Sequence, residues 1–351
     1  MPRAGWTKAD VDHRLSDHLA FAVLMRVFPP GLVDNVIADV GRVQQRNRLL
    51  PSRVVVYYVL GLALFSHSSY DEVIRLLIAS QSWSSGWSQS IPVPTKAALY
   101  KARQRLGFEP LQALFETAAV ATGSPAGSLG FHGPWRVLDL DSVSLDVPAT
   151  EANRAGFDPE HAVSVAGPVF PAVRVLGVTE RATGAVLGAS VGRGDQDFTE
   201  LGAGVLPTFM AGWLVMAGEE LYSAELWAKA AATDADLLWQ LPPGAVLPAG
   251  RDFRLIDVNH GTASPVRFIT TIADPALASN DDLIELFATR RTLASAFDEF
   301  RVHPDSPRIV LRSKVPDGVR QELYGYLCVH YAMRLIVNPP MDSIAPVVPA
   351  P

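Results

Sequence analysis

The segment WLVMAGEELYSAELWAKAAA, residues 213–232, decides the fold predicted for this chain. Residues 213–217 form a short apolar run, Gly218 and two acids follow, and an amphipathic segment begins at Ser223. This order predicts a buried strand, a turn and a helix. In a parallel or mixed α/β sheet, ligand-binding residues tend to lie at the carboxyl end of such a strand. Because Gly218 occupies that place, the identity of residue 218 bears on function.

Strand-like and helix-like segments extend in both directions from this unit. Alternating apolar and polar residues predict three antiparallel strands before it, in WRVLDLDSVSLDVP (135–148), AVRVLGVTER (172–181) and GAVLGASVGR (184–193). The segments that complete the pattern are a helix over 197–210, a strand over 235–241, a turn-rich β insertion over 242–268, a long helix over 279–303 and a last helix over 318–337. The class predicted is α/β, with a mixed five-stranded sheet formed by residues 135–240 and the strand over 136–147 at its centre.

The first third of the chain has a different periodicity. Residues 1–122 show apolar residues at helical spacing and predict a separate helical bundle. Residues 123–134, GSPAGSLGFHGP, are rich in Gly, Ser and Pro and predict a linker, so residues 135–338 form the second domain. The proline-rich residues 339–351 predict an unfolded tail. A length of 351 residues fits two domains.

Composition excludes several classes of protein. Apolar residues make up 48% of the chain and charged residues 19%, which is typical of a globular protein. The single cysteine, Cys328, excludes an internal disulfide framework and a thiol metal cluster, and suggests a reducing compartment. Two apolar runs, residues 19–28 and 54–65, are too short or too interrupted to span a membrane and predict buried helices. We expect a cytoplasmic protein with no membrane partner.

The charge is distributed unevenly along the chain. The net charge is −6, but residues 1–125 contain 13 Lys and Arg against 9 Asp and Glu. Within residues 1–125, the segment TKAALYKARQRL, predicted to be helical, contains Lys96, Lys101, Arg103 and Arg105. Such a basic face is either an ordinary solvated surface or a contact with the DNA backbone, and the sequence leaves both interpretations open.

Several ordered stretches resemble bacterial insertion-sequence transposases of the type-four family. They include LPSRVVVYYVLGLALFSHSSYDEVIRLL, KARQRLGFEPLQALFE, LDVPATEANRAGF, SAELWAKAAATDADLLWQL and VLRSKVPDGVRQELYGYLCVHYAMR, and the resemblance covers roughly residues 15–335. It implies a ribonuclease-H-like core, whose strand and helix order matches the order predicted above. It also implies DNA strand cleavage and joining with two Mg²⁺ ions held by three carboxylates, a DDE site. Carboxylates suit this role because Mg²⁺ prefers oxygen ligands.

The resemblance places the first carboxylate at Asp141, a few residues before the match at residues 146–148, with Ser142 where the family has Gly. The second carboxylate belongs to a strand-end motif, Asp-Arg-Gly-aromatic-aromatic-Ser. When the motif is aligned on Tyr222 and Ser223, its Asp falls on Gly218, so this glycine stands where the family has a metal ligand.

The third carboxylate lies in the helical motif Tyr, two residues, Arg, three residues, Glu, six residues, Lys. Here Phe287 replaces the Tyr, Arg290 is kept, Ala294 replaces the Glu and Arg301 replaces the Lys. The resemblance therefore implies that two of three metal ligands are lost. With Asp141 alone, we expect no specific Mg²⁺ site.

Other acids could substitute for the lost carboxylates. Glu220 shares the strand face of residue 218 by the period of two, and Asp298 lies one helical turn beyond Ala294. Asp139 could share the strand face of Asp141, although a turn or solvent-exposed acid is the expected interpretation for it.

Three functions follow from these observations. The first is a transposase-derived protein that binds double-stranded DNA, such as element ends, without cutting it, and that could form a homodimer. The second is an active DDE transposase that uses Glu220 and Asp298. The third is a decayed gene copy or a protein that binds a partner other than DNA, which the proline-rich tail favours.

Overall fold

The computed structural model describes residues 15–44, 50–85, 93–119, 131–158, 170–249, 252–258, 265–298 and 311–338. Six helices come first: α1 (Leu15–Val27), α2 (Pro30–Asp39), α3 (Ser52–Leu64), α4 (Tyr70–Ser85), α5 (Lys96–Leu106) and α6 (Glu109–Ala118). Their starts follow local chemistry. For example, the Thr95 side chain accepts a hydrogen bond from the Ala98 amide at the beginning of α5. The helical prediction for this region holds in its described residues.

The two apolar runs of the sequence lie in helices of this group. Phe21, Leu24 and Phe28 are buried, and ten residues of α3 are buried as well. Among the described residues, no single helix is long and apolar enough to span a membrane, although one pair bent by 54°, Leu19–Val27 with Pro30–Asp39, meets the length and composition limits together.

The described residues from 131 onward form eight strands and six more α-helices. The strands are β1 (Phe131–His132), β2 (Trp135–Asp146), β3 (Ala172–Glu180), β4 (Val186–Arg193), β5 (Trp213–Ala217), β6 (Asp236–Leu241), β7 (Arg254–Val258) and β8 (Val266–Thr270). The helices are α7 (Glu151–Phe157), α8 (Phe198–Gly202), α9 (Ala224–Ala231), α10 (Asn280–Ala288), α11 (Ala294–Asp298) and α12 (Pro316–Val337).

All strands belong to one mixed sheet with the order β4-β3-β2-β5-β6-β8-β7, and β1 pairs with β2 beside this path. Strand β3 runs antiparallel to both β2 and β4, while β5 runs parallel to both β2 and β6. The strand over 136–147 therefore lies between β3 and β5, as predicted.

The sheet is wider than the five strands expected. Residues 135–240 supply β2 to β6, and the predicted β insertion adds β8 and β7 antiparallel to β6. The addition covers an edge of β6 that would otherwise expose unpaired backbone groups. Residues 131–132, assigned to the linker, form β1 against β2, so the linker prediction is wrong at this end. Most of the predicted linker, residues 123–130, and the tail, residues 339–351, lie outside the described residues.

Two helical predictions need correction. The segment 197–210 forms only α8 and a short 3-10 turn at Leu206–Thr208, because Gly202, Gly204 and Pro207 disfavour a continuous helix. The long helix predicted over 279–303 is two helices, α10 and α11, with a break between Ala288 and Ala294, and residues beyond 298 are outside the described part. The helix α7 was not predicted.

The two faces of the sheet bury different cores. Leu138, Leu140 and Trp239 face the core that contains the N-terminal helices and α12. Val137, Met216 and Leu283 belong to a second core on the opposite face, where α10 packs. The alternation along β2 follows the period of two of an extended chain.

The last helix joins the two parts of the chain. Thirteen residues of α12 are buried, and α12 packs against α3 and α6 in the same hydrophobic cluster that covers the sheet. The N-terminal helices are therefore not an independently packed bundle, which corrects that part of the domain prediction. The exact boundary stays a prediction.

Candidate functional site

The site predicted from the sequence lies on the α10 face of the sheet. Residues 135 and 137 of β2 face this side, so Asp139 and Asp141 share it. In β5, Leu214 and Met216 face the same side. By the period of two, Gly218, just beyond the end of the strand, faces this side as well. The backbone register pairs Leu140 with Ala217, so Asp141 and Gly218 are the next positions along the two parallel strands. The structure thus brings these two sequence-predicted positions together.

Asp139 is fully buried, which corrects the expectation of a turn or solvent-exposed acid. Its Oδ2 accepts a hydrogen bond of 3.0 Å from the Arg291 amide, in the break between α10 and α11. Burial raises the pKa of the Asp139 carboxyl to about 6, although the Arg291 amide and the charges of Arg181 and Arg290 oppose the rise. The Asp139 carboxyl group thus links the break between α10 and α11 to the sheet.

Asp141 binds the same break one step further along. Its Oδ2 accepts a hydrogen bond of 2.8 Å from the Leu293 amide. Burial raises the pKa of Asp141, and the nearby Glu220 carboxylate adds to the rise, while Arg290 acts in the opposite direction. Both acids therefore take up amide groups that a continuous helix would have bonded internally, which explains why α10 and α11 are separate.

The Glu220 side chain occupies the space above Gly218. A Cβ atom added at residue 218 would meet both carboxylate oxygens of Glu220 and lie 2.7 Å from its Cδ atom. The Glu220 side chain is 51% exposed and its Oε1 lies 3.9 Å from the Arg290 guanidinium. A carboxylate is thus present close to residue 218, where the resemblance places a metal ligand in the family, but it comes from a different residue.

Arg290 stands on the helix side of these acids. Its guanidinium carbon lies 4.7 Å from the centre of the Phe287 ring, and that ring packs edge-on against Phe268 with a centroid separation of 4.8 Å. The side chain is 20% exposed, so its charge acts on the acids with little solvent between them. Arg290 is therefore placed to neutralise this carboxylate cluster.

The remaining positions that the sequence singled out on the helix side are Ala294, Asp298 and Arg301. Ala294 follows the residue that donates to Asp141, and it is half-buried at the start of α11. Asp298 lies at the exposed end of that short helix, and Arg301 is outside the described residues. In the part of the chain that the structure describes, no three His, Cys, Asp or Glu side chains are grouped so that they could hold a metal ion.

The basic positions of α5 divide into two sets. Lys101 and Arg105 are exposed, and Lys96, 74% exposed, pairs with Asp71 at 3.3 Å. Arg103 points instead into the protein, with its side chain only 12% exposed. The prediction that Arg103 belongs to the exposed basic face is wrong, because α5 is amphipathic and its buried face packs against residues near α12.

The partners of Arg103 explain its burial. Its Nε donates to Gln321 at 3.0 Å, and its guanidinium donates to the Ser313 hydroxyl at 3.1 Å and the Gly318 carbonyl at 3.3 Å. The Glu322 carboxylate lies 3.9 Å away. These groups, more than 200 positions away in the sequence, could not be found by reading α5 alone.

Comparisons with known proteins agree with the resemblance seen in the sequence. Residues 18–116 match the family described as insertion element 4 transposase N-terminal. Transposase InsG for insertion sequence element IS4, from Escherichia coli (strain K12), is 22% identical over 338 residues, which cover 87% of this chain and 74% of that protein. The chain is therefore similar to an IS4 insertion-sequence transposase over most of its length.

One solved structure also aligns over most of the chain. It is the cryo-EM structure of a piggyBac transposase synaptic complex with hairpin DNA. The alignment covers 92% of this chain and 76% of the piggyBac transposase chain, with 11% identity and a TM-score of 0.45. A similarity of this size supports no argument about function.

Proposed function

We propose that this chain is a transposase-derived protein that binds double-stranded DNA and does not cut it. Its relation to the IS4 transposases supports a role on DNA, and the exposed Lys96, Lys101 and Arg105 supply a positive face for phosphate groups. The sheet order over β2 to β6, three antiparallel strands followed by two parallel ones, supports a ribonuclease-H-like core within the wider sheet. A homodimer and a cytoplasmic location stay predictions from the sequence.

The contacts of Asp141 are the main support for the proposal that the chain does not cut DNA. Its Oδ2 already accepts the Leu293 amide, the Arg290 charge acts on it, and the next helix residue, Ala294, has only a methyl group. A pair of Mg²⁺ ions requires several carboxylate oxygens arranged around them, and loss of such ligands is far more costly than loss of the groups that support them. The residues present do not fit a two-Mg²⁺ site, and we derive no reaction step through one.

Strand cleavage tests this proposal directly. Incubation of the purified chain with its element's end sequences and Mg²⁺ or Mn²⁺ is expected to give no nicked product. Gly218→Asp alone is expected to give none either, because Ala294 still leaves the helix side without a carboxylate. The double variant Gly218→Asp with Ala294→Glu is the informative gain-of-function chain, and Asp141→Ala in that background is its control. Metal-dependent nicking by the unmodified chain that disappears in Asp141→Ala would overturn the proposal.

Duplex binding is tested with charge reversal on α5. The double variant Lys101→Glu with Arg105→Glu is expected to weaken binding to any duplex and to reduce the dependence of affinity on salt, by roughly 0.9 in logarithmic slope for each phosphate that is no longer neutralised. Arg193→Glu with Arg267→Glu changes the net charge equally at exposed positions on other elements and serves as the matched control. Fluorescence anisotropy that detects no duplex binding at low salt would refute the DNA-binding proposal.

A second candidate, an active transposase with displaced acids, is favoured by one observation. Glu220 lies over Gly218 and near Asp141, so two carboxylates approach each other on the sheet side. If this candidate is right, nicking by the unmodified chain should be lost in Glu220→Gln but kept in Glu219→Gln, the neighbouring exposed acid.

A further inference from the structure

A second concave surface lies away from the acid cluster. A cleft of about 640 Å³ opens between α5 and the segment 312–318 that leads into α12. This volume is in the range of sites that hold small organic ligands. Its walls include three tyrosines, Tyr58, Tyr70 and Tyr100, and four cationic side chains, Lys96, Arg103, Arg312 and Lys314. Asp317 is the one acid among its lining residues.

The cations at the floor of the cleft are held rigidly. The Arg312 guanidinium lies 4.9 Å from the centre of the Tyr70 ring and donates to the carbonyls of Ser68 and Leu62, at 2.9 and 3.3 Å. The Arg103 guanidinium, also at the floor, donates hydrogen bonds to the uncharged groups of Gln321, Ser313 and Gly318. The buried Glu322 carboxylate, 3.9 Å from Arg103, accepts from the Arg312 amide and the Ser313 hydroxyl. The Glu322 carboxylate thus lies near the Arg103 guanidinium, whereas the Arg312 guanidinium is held by two carbonyls and a ring, which leaves the floor positive.

The rim combines exposed cations with an exposed ring. Lys314 is exposed, and the Lys96 pair with Asp71 is solvent-exposed and therefore easily exchanged for another anion. Tyr100 is 51% exposed, and its hydroxyl accepts a hydrogen bond of 2.9 Å from Gln104 on the next turn of α5. An accessible ring fixed in this way loses little conformational freedom when a planar group stacks on it.

We propose that this cleft binds one nucleotide unit, with its base against Tyr100 and its phosphate at Lys96 and Lys314. Aromatic rings combined with positive charge are the arrangement by which proteins take unpaired bases. A purely apolar ligand would make no charge contact with Lys96 and Lys314, and an inorganic anion would not stack on the tyrosine rings. The nucleotide comes from a single-stranded segment of DNA or from a free mononucleotide, which share this chemistry. The site shares Lys96 with the duplex face but contains neither Lys101 nor Arg105, the residues changed in the duplex test, so the two proposals can be tested apart.

The experiment measures binding of three probes to the full chain by fluorescence anisotropy: labelled oligothymidylate, labelled duplex, and unlabelled dTMP as a competitor. Tyr100→Ala is expected to weaken oligothymidylate binding on the order of 10-fold, since stacking on one ring contributes at this level. Lys314→Glu is expected to weaken it as well, with a smaller dependence on salt. Duplex binding should change less than about twofold in Tyr100→Ala. Phe170→Ala removes an aromatic side chain of similar exposure, 52%, and should leave both affinities unchanged.

The outcomes separate this site from the duplex face. The cleft is supported if the double variant Lys101→Glu with Arg105→Glu loses duplex binding and still binds oligothymidylate. It is also supported if the wild-type chain binds oligothymidylate but no duplex. Displacement of oligothymidylate by dTMP supports the cleft and identifies the free nucleotide as sufficient. Equal oligothymidylate affinity in wild type and Tyr100→Ala, with both folded by circular dichroism, overturns the proposal. Failure of the wild-type chain to bind either oligothymidylate or dTMP overturns it also.

Discussion

Asp139 illustrates what burial does to a single side chain. It is fully buried in the middle of an apolar strand, its Oδ2 accepts from the Arg291 amide, and its pKa is raised to about 6. The spacing of Asp139 and Asp141 predicted a common strand face, and this relation is found. Its burial was not predictable, because the covering residues, at the break between α10 and α11, lie 152 positions away in the chain.

The raised pKa of Asp139 predicts a stability change with pH. The folded state binds the Asp139 proton more tightly than the unfolded state, whose carboxyl titrates near 4, so the contribution of Asp139 to stability is fully present below about pH 4 and is lost as pH rises toward 6 and above. A difference of about two pKa units corresponds to at most about 3 kcal/mol. Asp139→Asn should therefore be more stable than wild type at pH 7.5, with the difference shrinking near pH 4.

Urea unfolding at the two pH values measures this effect. The exposed Asp234→Asn serves as a control and should show no such pH-dependent difference. An Asp139→Asn chain that is destabilised at pH 7.5 would show that the ionised carboxylate holds the break between α10 and α11, contrary to the expectation.

At the scale of elements, α5 presents two faces with different roles. Its basic residues look equivalent in the sequence, but Arg105 is exposed whereas Arg103 binds Gln321, Ser313 and Gly318. The break between α10 and α11 has a similar origin. A helix periodicity that continues through residues 279–298 does not reveal that the buried Asp139 and the half-buried Asp141 accept hydrogen bonds from the amides of residues 291 and 293.

The two arginines give a matched pair of substitutions. Arg103→Leu should destabilise the chain by about 2–4 kcal/mol, because it removes three hydrogen bonds and leaves Glu322 with less compensation in a buried place. Arg105→Leu should change the free energy of unfolding by less than about 0.5 kcal/mol, as is usual for an exposed position. Chemical denaturation compares them. Equal effects of the two substitutions would contradict the different burial of the two side chains.

At the scale of the whole molecule, α12 connects the N-terminal helices with the sheet. Gly325 lies at its closest approach to α3, where an added Cβ would be 3.2 Å from Val59 Cγ1 and 3.6 Å from Ala63 Cβ. This approach and the continuous hydrophobic core make the helices and the sheet one packed unit.

Gly325→Leu should therefore destabilise the chain by about 2–3 kcal/mol or more, because the larger side chain separates α12 from α3. Gly31→Leu, at an exposed helical position with open space around it, is the matched control. In a background with Trp6, Trp83 and Trp87 changed to Phe, tryptophan fluorescence reports on the sheet region, where Trp213 and Trp239 are buried, and far-ultraviolet circular dichroism reports largely on the helices. We expect the two signals to change together in one transition, and separate transitions would restore the interpretation of two independent domains.

The sequence by itself predicted most of the strands and helices, the position of the strand at 136–147 in the middle of the set β4-β3-β2-β5-β6, and the resemblance to the IS4 transposases. These features depend on periodicity, composition and ordered short motifs, which are local or can be compared along the chain. Only the tertiary structure decided that Glu220 lies over Gly218, that Arg103 is buried, that α10 and α11 are separate, and that tyrosines and cations from α3, α4, α5 and the segment before α12 line one cleft. The reason is physical: the burial and charge environment of a side chain depend on groups brought near it from distant parts of the chain, and no local pattern records which groups those are.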